Sequence, residues 1–197
     1  EQYYIIFPII MLLIYKFFRN FTLVLFLGGF ISSFILADYI SKIEPSFNFY
    51  ILPTRAWELL TGSLVAITIF NGGIVHWIKP KFNGLLSIMG LLSLLMSIVV
   101  FDQHTPFPSF YALLPTIGTA LVIIFAIKGT FANKLLSNPM LVQLGLISYS
   151  AYLVHQPLFA FTRHLSLGEP SIGLMLSLGF GSFVAAYFIW KYIEQPF

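Results

Sequence analysis

The chain has 197 residues, of which 58% are hydrophobic, 18% aromatic and 9% charged, where a soluble domain carries about 25% charge. So little charge cannot cover a water-facing surface, and with 22 Phe and a mean hydropathy of +0.91 the composition excludes an ordinary cytosolic globule and a disordered chain. Zero Cys removes disulfides, thiolate nucleophiles and Cys-based metal sites, and the net charge of +3 matters less than where its residues fall.

Windows of roughly 17 to 25 apolar residues, long enough for a bilayer, recur at about 3–18, 21–40, 54–71, 84–101, 110–128, 139–165 and 171–193. They predict an all-α integral membrane protein, a bundle of about seven transmembrane helices forming one domain over 1–197. The first run would be about 24 Å long as a helix, short of the roughly 30 Å hydrocarbon core. With no initiator Met, basic n-region or small-residue cleavage site at Glu1, the expectation is a missing upstream turn and no signal peptide. Breakers punctuate the connections: Gly72, Gly73 and Pro80, then Pro106 and Pro108, then Gly168 and Pro170. No window alternates as a barrel strand would.

Of the ten basic residues, Lys16, Arg19, Lys79, Lys81, Lys128, Lys134 and Lys191 lie at every second boundary, and Lys42, Arg55 and Arg163 at the others. Seven against three places the first set in the cytoplasm, so the chain starts outside and ends inside. Asp38, Glu44, Asp102 and Glu169 fall on the opposite side, which agrees.

Three polar clusters interrupt the apolar windows. In the first, Pro53 and Thr54 open the third window, and Arg55 and Glu58 are three apart on one helix face and can pair. They read either as an interfacial ion pair flanked by the belt aromatics Tyr50 and Trp57 or as a ligand site, since a guanidinium fork suits phosphate or carboxylate. In the second, Ser148, Tyr152 and His155 fall at i, i+4 and i+7, two residues before Pro157, whose ring removes a helix hydrogen bond and kinks the segment. That stripe is either hydrogen-bonded packing or a substrate path with a proton-transferring histidine. In the third, Tyr187, Lys191 and Glu194 repeat the same spacing before Gln195-Pro196, and read either as a headgroup anchor or as a site. His76, His104 and His164 lie in connections or at window ends, where solvation is the simpler role. No spacing suits a metal, and there is no nucleophile elbow, Walker loop, dinucleotide fingerprint or nucleic-acid signature.

Three stretches together resemble the membrane O-acyltransferases of acyltransferase family 3, which include bacterial O-antigen (lipopolysaccharide) and peptidoglycan O-acetylases. They are Phe49-Tyr50…Pro53-Thr54-Arg55-Ala56-Trp57-Glu58-Leu59-Leu60-Thr61-Gly62, the run from Leu144 to Pro157, and the closing Tyr192-Ile193-Glu194-Gln195-Pro196-Phe197. Glu1-Gln2-Tyr3-Tyr4 also resembles the end of the family's Trp-Ser-Leu-x-Val-Glu-Glu-Gln-Phe-Tyr stretch. The resemblance covers essentially this whole chain but only the C-terminal part of the family domain, implying a fragment of a larger domain of roughly ten or eleven helices. It implies a multi-pass enzyme of the bacterial inner membrane that moves an acyl group, usually acetyl, from cytoplasmic acyl-CoA to a saccharide hydroxyl on the outer face. No bound cofactor is expected, acyl-CoA being the donor substrate, and the partners are the lipid bilayer, acyl-CoA and a saccharide acceptor. The substrate-binding candidates are Arg55, Glu58, Tyr50, Trp57, Ser148, Tyr152, His155 and Glu194. The family's proposed catalytic His lies eleven residues after an Arg, whereas Arg19, Arg55 and Arg163 are followed at that distance by Phe30, Ala66 and Leu174. The base is therefore expected outside this segment, and residues 1–197 alone are expected to be inactive. A transporter or a lipid or saccharide flippase is the competing reading, because Pro-interrupted helices with buried Ser, Tyr and His also line carrier paths.

Overall fold

The computed structural model describes residues 2–70, 80–102, 105–166 and 170–196, and the regular elements among these are helices. In chain order they are α1 (Gln2–Phe17), α2 (Thr22–Ser41), α3 (Pro45–Tyr50), α4 (Leu52–Phe70), α5 (Pro80–Val100), α6 (Leu113–Phe125), α7 (Phe131–Leu136), α8 (Pro139–Leu165) and α9 (Ile172–Ile189), with a closing π-helical turn Trp190–Glu194. Each apolar window falls on one long helix with its ends moved by at most a few residues. Helices α3 and α7, six residues each, are additional. Where helices begin, the sequence supplies the caps: the Asn138 side chain accepts from the N–H of Met140 with Pro139 next in line, and the Ser171 hydroxyl accepts from Leu174. Helix α8 runs on through Pro157 as one element.

Among the described residues, three stretches are long and apolar enough to cross a membrane, namely Thr22–Ser41, Phe82–Val100 and Ile172–Glu194, and Ile5–Phe17 and Phe110–Phe125 are shorter apolar helices. Helices α4 and α8 carry the polar clusters, which dilute their hydropathy. Burial is inverted relative to a water-soluble fold. Phe70, Val99 and Ile172 are 90%, 81% and 80% exposed, whereas Asn48, Thr54, Ser87 and Ser150 are fully enclosed. Large apolar side chains facing out and small polar ones facing in are what hydrocarbon surroundings select, because lipid solvates the former and helix partners must satisfy the latter.

The described residues fall into two compact units, Glu1–Lys134 and Leu135–Phe197. In the first, α2 packs along α4 and α5 along α6. The indole of Trp57 is fully buried, edge-on to Phe30 and Phe34 at ring distances of 6.0 and 5.1 Å, beside Ala37 and Ala112. This burial removes Trp57 from the interfacial belt, one of its two readings from sequence. Phe30, Phe34 and Ala37 recur at helical spacing on α2 and form the receptacle for it. The Ser33 hydroxyl donates to the Pro53 carbonyl at 2.5 Å and accepts from the Trp57 N–H at 2.9 Å, joining two backbone groups one turn apart on α4 to the neighbouring helix. Asn48 on α3 donates to the carbonyls of Ala37 and Pro108 at 3.1 and 2.8 Å, and the Thr54 hydroxyl donates to the Asn48 carbonyl at 2.6 Å. These bonds fix the start of α4 against the end of α2. Helices α5 and α6 meet at Gly90 and Gly118, where a Cβ added to Gly90 would lie 2.7 Å from the Gly118 carbonyl oxygen. Small residues at such a crossing let backbones approach and gain dispersion contacts, the main attraction between helices in lipid.

The second unit is the α8/α9 pair with the π-helical turn. The buried Ser150 hydroxyl on α8 donates to Glu194 Oε1 at 2.6 Å, closing the end of α9 onto α8.

Candidate functional site

Arg55 and Glu58 form the expected pair in the first turns of α4. Both Nε and Nη2 of Arg55 donate to Glu58 Oε2 at 3.3 Å, and the guanidinium lies 5.0 Å from the Phe49 ring centroid. The separation is long and the side chains are 44% and 22% exposed, so the pair is loose. Exposed ion pairs contribute about 0–1 kcal/mol, and such a pair opens to a ligand at small cost. Tyr50 is 78% exposed and sits edge-on to Phe49, so an accessible aromatic flanks the guanidinium. Trp57, enclosed among α2 side chains, presents no surface to a ligand and acts on the site through the position of α4. Glu58 faces a cleft of about 220 Å³ between α4 and α6.

On α8, Ser148, Tyr152 and His155 come together on one wall of a groove of about 330 Å³ whose opposite wall is Gly179, Ser182 and Phe183 of α9. Here the spacing in sequence and the face in space agree. The Ser148 and Ser182 hydroxyls donate to carbonyls of their own helices, Gly145 and Gly179, at 2.6 and 2.7 Å. His155 Nδ1 lies 2.9 Å from the Ala151 carbonyl oxygen. A carbonyl only accepts, so Nδ1 carries the proton, and in the neutral ring Nε2 is left as an acceptor. The imidazole lies between the rings of Tyr152 and Phe159, at 5.7 and 5.8 Å.

Glu194 is held by Ser150, which corrects the reading of that carboxylate as a freely solvated headgroup anchor. Lys191 behaves differently from Glu194. Its ammonium lies 5.7 and 5.6 Å from the ring centroids of Tyr187 and Tyr192, an exposed cation over two aromatic faces. His164 is in the last turn of α8, and His76, His104 and Glu169 lie outside the described residues. Among the described residues no group of three or more His, Asp or Glu side chains is placed to hold a metal.

Sequence reasoning missed Ser150, Asn48 and the threonines lining the Glu58 cleft. Ser148 drew attention as part of a stripe, and Ser150, two residues on, points to the other side of the helix.

The chain aligns over its whole length with the peptidoglycan O-acetyltransferase OatA of Listeria monocytogenes at 26% identity over 206 residues. That match bears out the resemblance to the membrane O-acyltransferases. The chain spans only 33% of the Listeria protein. An uncharacterized protein of Haemophilus influenzae is 36% identical over 130 residues, covering 62% of this chain and 53% of that protein. No family model matches the chain, and no solved structure matches it.

Proposed function

We propose that the protein is an O-acyltransferase of the bacterial inner membrane that transfers an acetyl group from cytoplasmic acyl-CoA to a hydroxyl of an envelope saccharide. The observation that carries this reading is the similarity, along all of this chain and a third of the relative, to a peptidoglycan O-acetyltransferase. The three polar clusters add support, since ionisable and hydroxyl side chains in apolar helices mark ligand paths. In the reaction the saccharide oxygen bonds to the acyl carbon, the carbon–sulfur bond breaks, and the hydroxyl proton ends on the CoA thiolate. Arg55 and Glu58, at the outer end of α4 by the distribution of basic residues, are assigned to the acceptor side, together with Tyr50. The groove of Ser148, Tyr152 and His155 holds substrate within the membrane, and Glu194 positions the end of α9 beside it. The seven helices that carry the apolar windows are assigned as bilayer spans, with the N-terminus outside and the C-terminus inside.

The test is direct. Because the base is expected outside residues 1–197, membranes from cells making the protein together with the upstream helices that the resemblance implies are given labelled acetyl-CoA and a soluble peptidoglycan disaccharide, and acetylated sugar is measured against membranes lacking both. Label appearing in an ester on the sugar supports the reading, and equal label in both membranes refutes it.

A further inference from the structure

The cleft beneath Glu58 has a hydrogen-bonding character that neither the sequence clusters nor the comparisons assign. Its α4 wall is Glu58, Thr61, Gly62 and Val65, and its α6 wall is Thr116, Thr119, Ala120 and Ile123. Each set follows the spacing of a single helix face, so the two walls are stripes of facing helices. The hydroxyl protons are already engaged. Thr61 donates to the Trp57 carbonyl at 2.8 Å, Thr116 to Ala112 at 2.7 Å and Thr119 to Pro115 at 2.8 Å, each one turn back along its own helix. What these oxygens still offer is lone pairs, and an ionised Glu58 carboxylate also only accepts.

The polar part of this largely apolar cleft is therefore a set of hydrogen-bond acceptors, with one donor group, the Arg55 guanidinium, beside it. A phosphate, carboxylate or thioester, which brings acceptors of its own, finds few donors inside and a carboxylate against it. A polyol brings the donors that the walls lack. Gly62 leaves the space open, since a Cβ built there meets nothing within 4 Å. The volume of about 220 Å³ suits one sugar ring rather than a nucleotide.

We infer that the α4/α6 cleft is a saccharide-hydroxyl subsite in which Glu58, Thr61, Thr116 and Thr119 accept hydrogen bonds from the acceptor sugar. This rests on the proposed acyl transfer for its place in a reaction, but not for binding.

Thr116→Val and Thr119→Val keep side-chain shape and remove the lone pairs, and Gly62→Leu fills the space. Binding of a soluble peptidoglycan disaccharide to the purified protein is read by saturation-transfer NMR, and steady-state transfer from acetyl-CoA is read with the upstream helices co-expressed. Each valine variant is expected to weaken disaccharide binding and raise the disaccharide KM by about two- to tenfold, with the acetyl-CoA KM unchanged. Gly62→Leu, with helical circular dichroism intact, is expected to abolish disaccharide binding. Disaccharide binding that is undetectable in the wild type or unchanged in all three variants overturns the inference, as does an equal rise in the acetyl-CoA KM. Cleft-dependent disaccharide binding without any transfer, when the upstream helices are co-expressed, supports the subsite and refutes the enzymatic reading alone.

Discussion

Ser150 and Glu194 are 44 residues apart in the chain and 2.6 Å apart in space, the hydroxyl of a fully buried serine donating to a carboxylate in the π-helical turn that ends α9. Removing one partner leaves the other without its bond in a poorly hydrated place. Charge-assisted bonds of this kind contribute about 1.5–3 kcal/mol, and because Glu194 is only half-buried the lower end applies. A double-mutant cycle of Ser150→Ala and Glu194→Gln, read by thermal unfolding in detergent, is expected to give a coupling of about 1.5 kcal/mol. Additive effects would show that the bond holds nothing together.

The α5/α6 crossing sets a second expectation. Gly90→Ala drives a methyl to 2.7 Å from a backbone oxygen of Gly118, and backbone cannot step aside as a flexible side chain can. A loss of about 1–3 kcal/mol follows. Gly84→Ala, on the same helix with nothing within 4 Å of the new Cβ, is expected to be neutral or stabilising by up to about 1 kcal/mol. Equal behaviour of the two variants in a detergent melt would refute the close crossing.

Much of this fold was legible from the chain because apolar length and Gly/Pro punctuation are strong signals in a membrane protein. The 139–165 window, for example, coincides with α8. Helices α3 and α7 escaped because six residues hold less than two turns of periodicity. Trp57 was misplaced for a different reason. A tryptophan near a helix start suits both a headgroup belt and a core, and only the facing Phe30, Phe34 and Ala37, brought from another helix, separate the two. The stripe Ser148, Tyr152 and His155 was readable because its members share one helix. The Glu58 cleft was not, because two of its three threonine hydroxyls come from α6, and nothing in either segment specifies which helices face each other.

Topology is open to test in a chain with zero native Cys. A Cys at Ser166 is expected to react with an impermeant thiol reagent in intact cells, and one at Gly129 only after permeabilisation. The reverse pattern would invert the proposed orientation.

Arg55 carries the sharpest substitution test. Its guanidinium reaches Glu58 through two nitrogens while covering the Phe49 ring, and an ammonium reproduces neither the fork nor the planar stacking. In the protein with the upstream helices present, Arg55→Lys and Glu58→Gln are each expected to reduce acyl transfer by about 10- to 100-fold with membrane levels unchanged. Near-normal transfer in both would reduce the pair to an interfacial anchor.

The most direct measurement of the central claim is base-released acetate from purified peptidoglycan of a bacterium that lacks O-acetylation of its own. Peptidoglycan from cells making the protein with its upstream helices is predicted to release acetate well above the empty-vector background, and that from cells making equal amounts of the Arg55→Lys variant to release close to background. Background acetate from cells with abundant wild-type protein in the membrane would contradict peptidoglycan as the acceptor, and its absence from every other envelope saccharide as well would contradict O-acyl transfer itself.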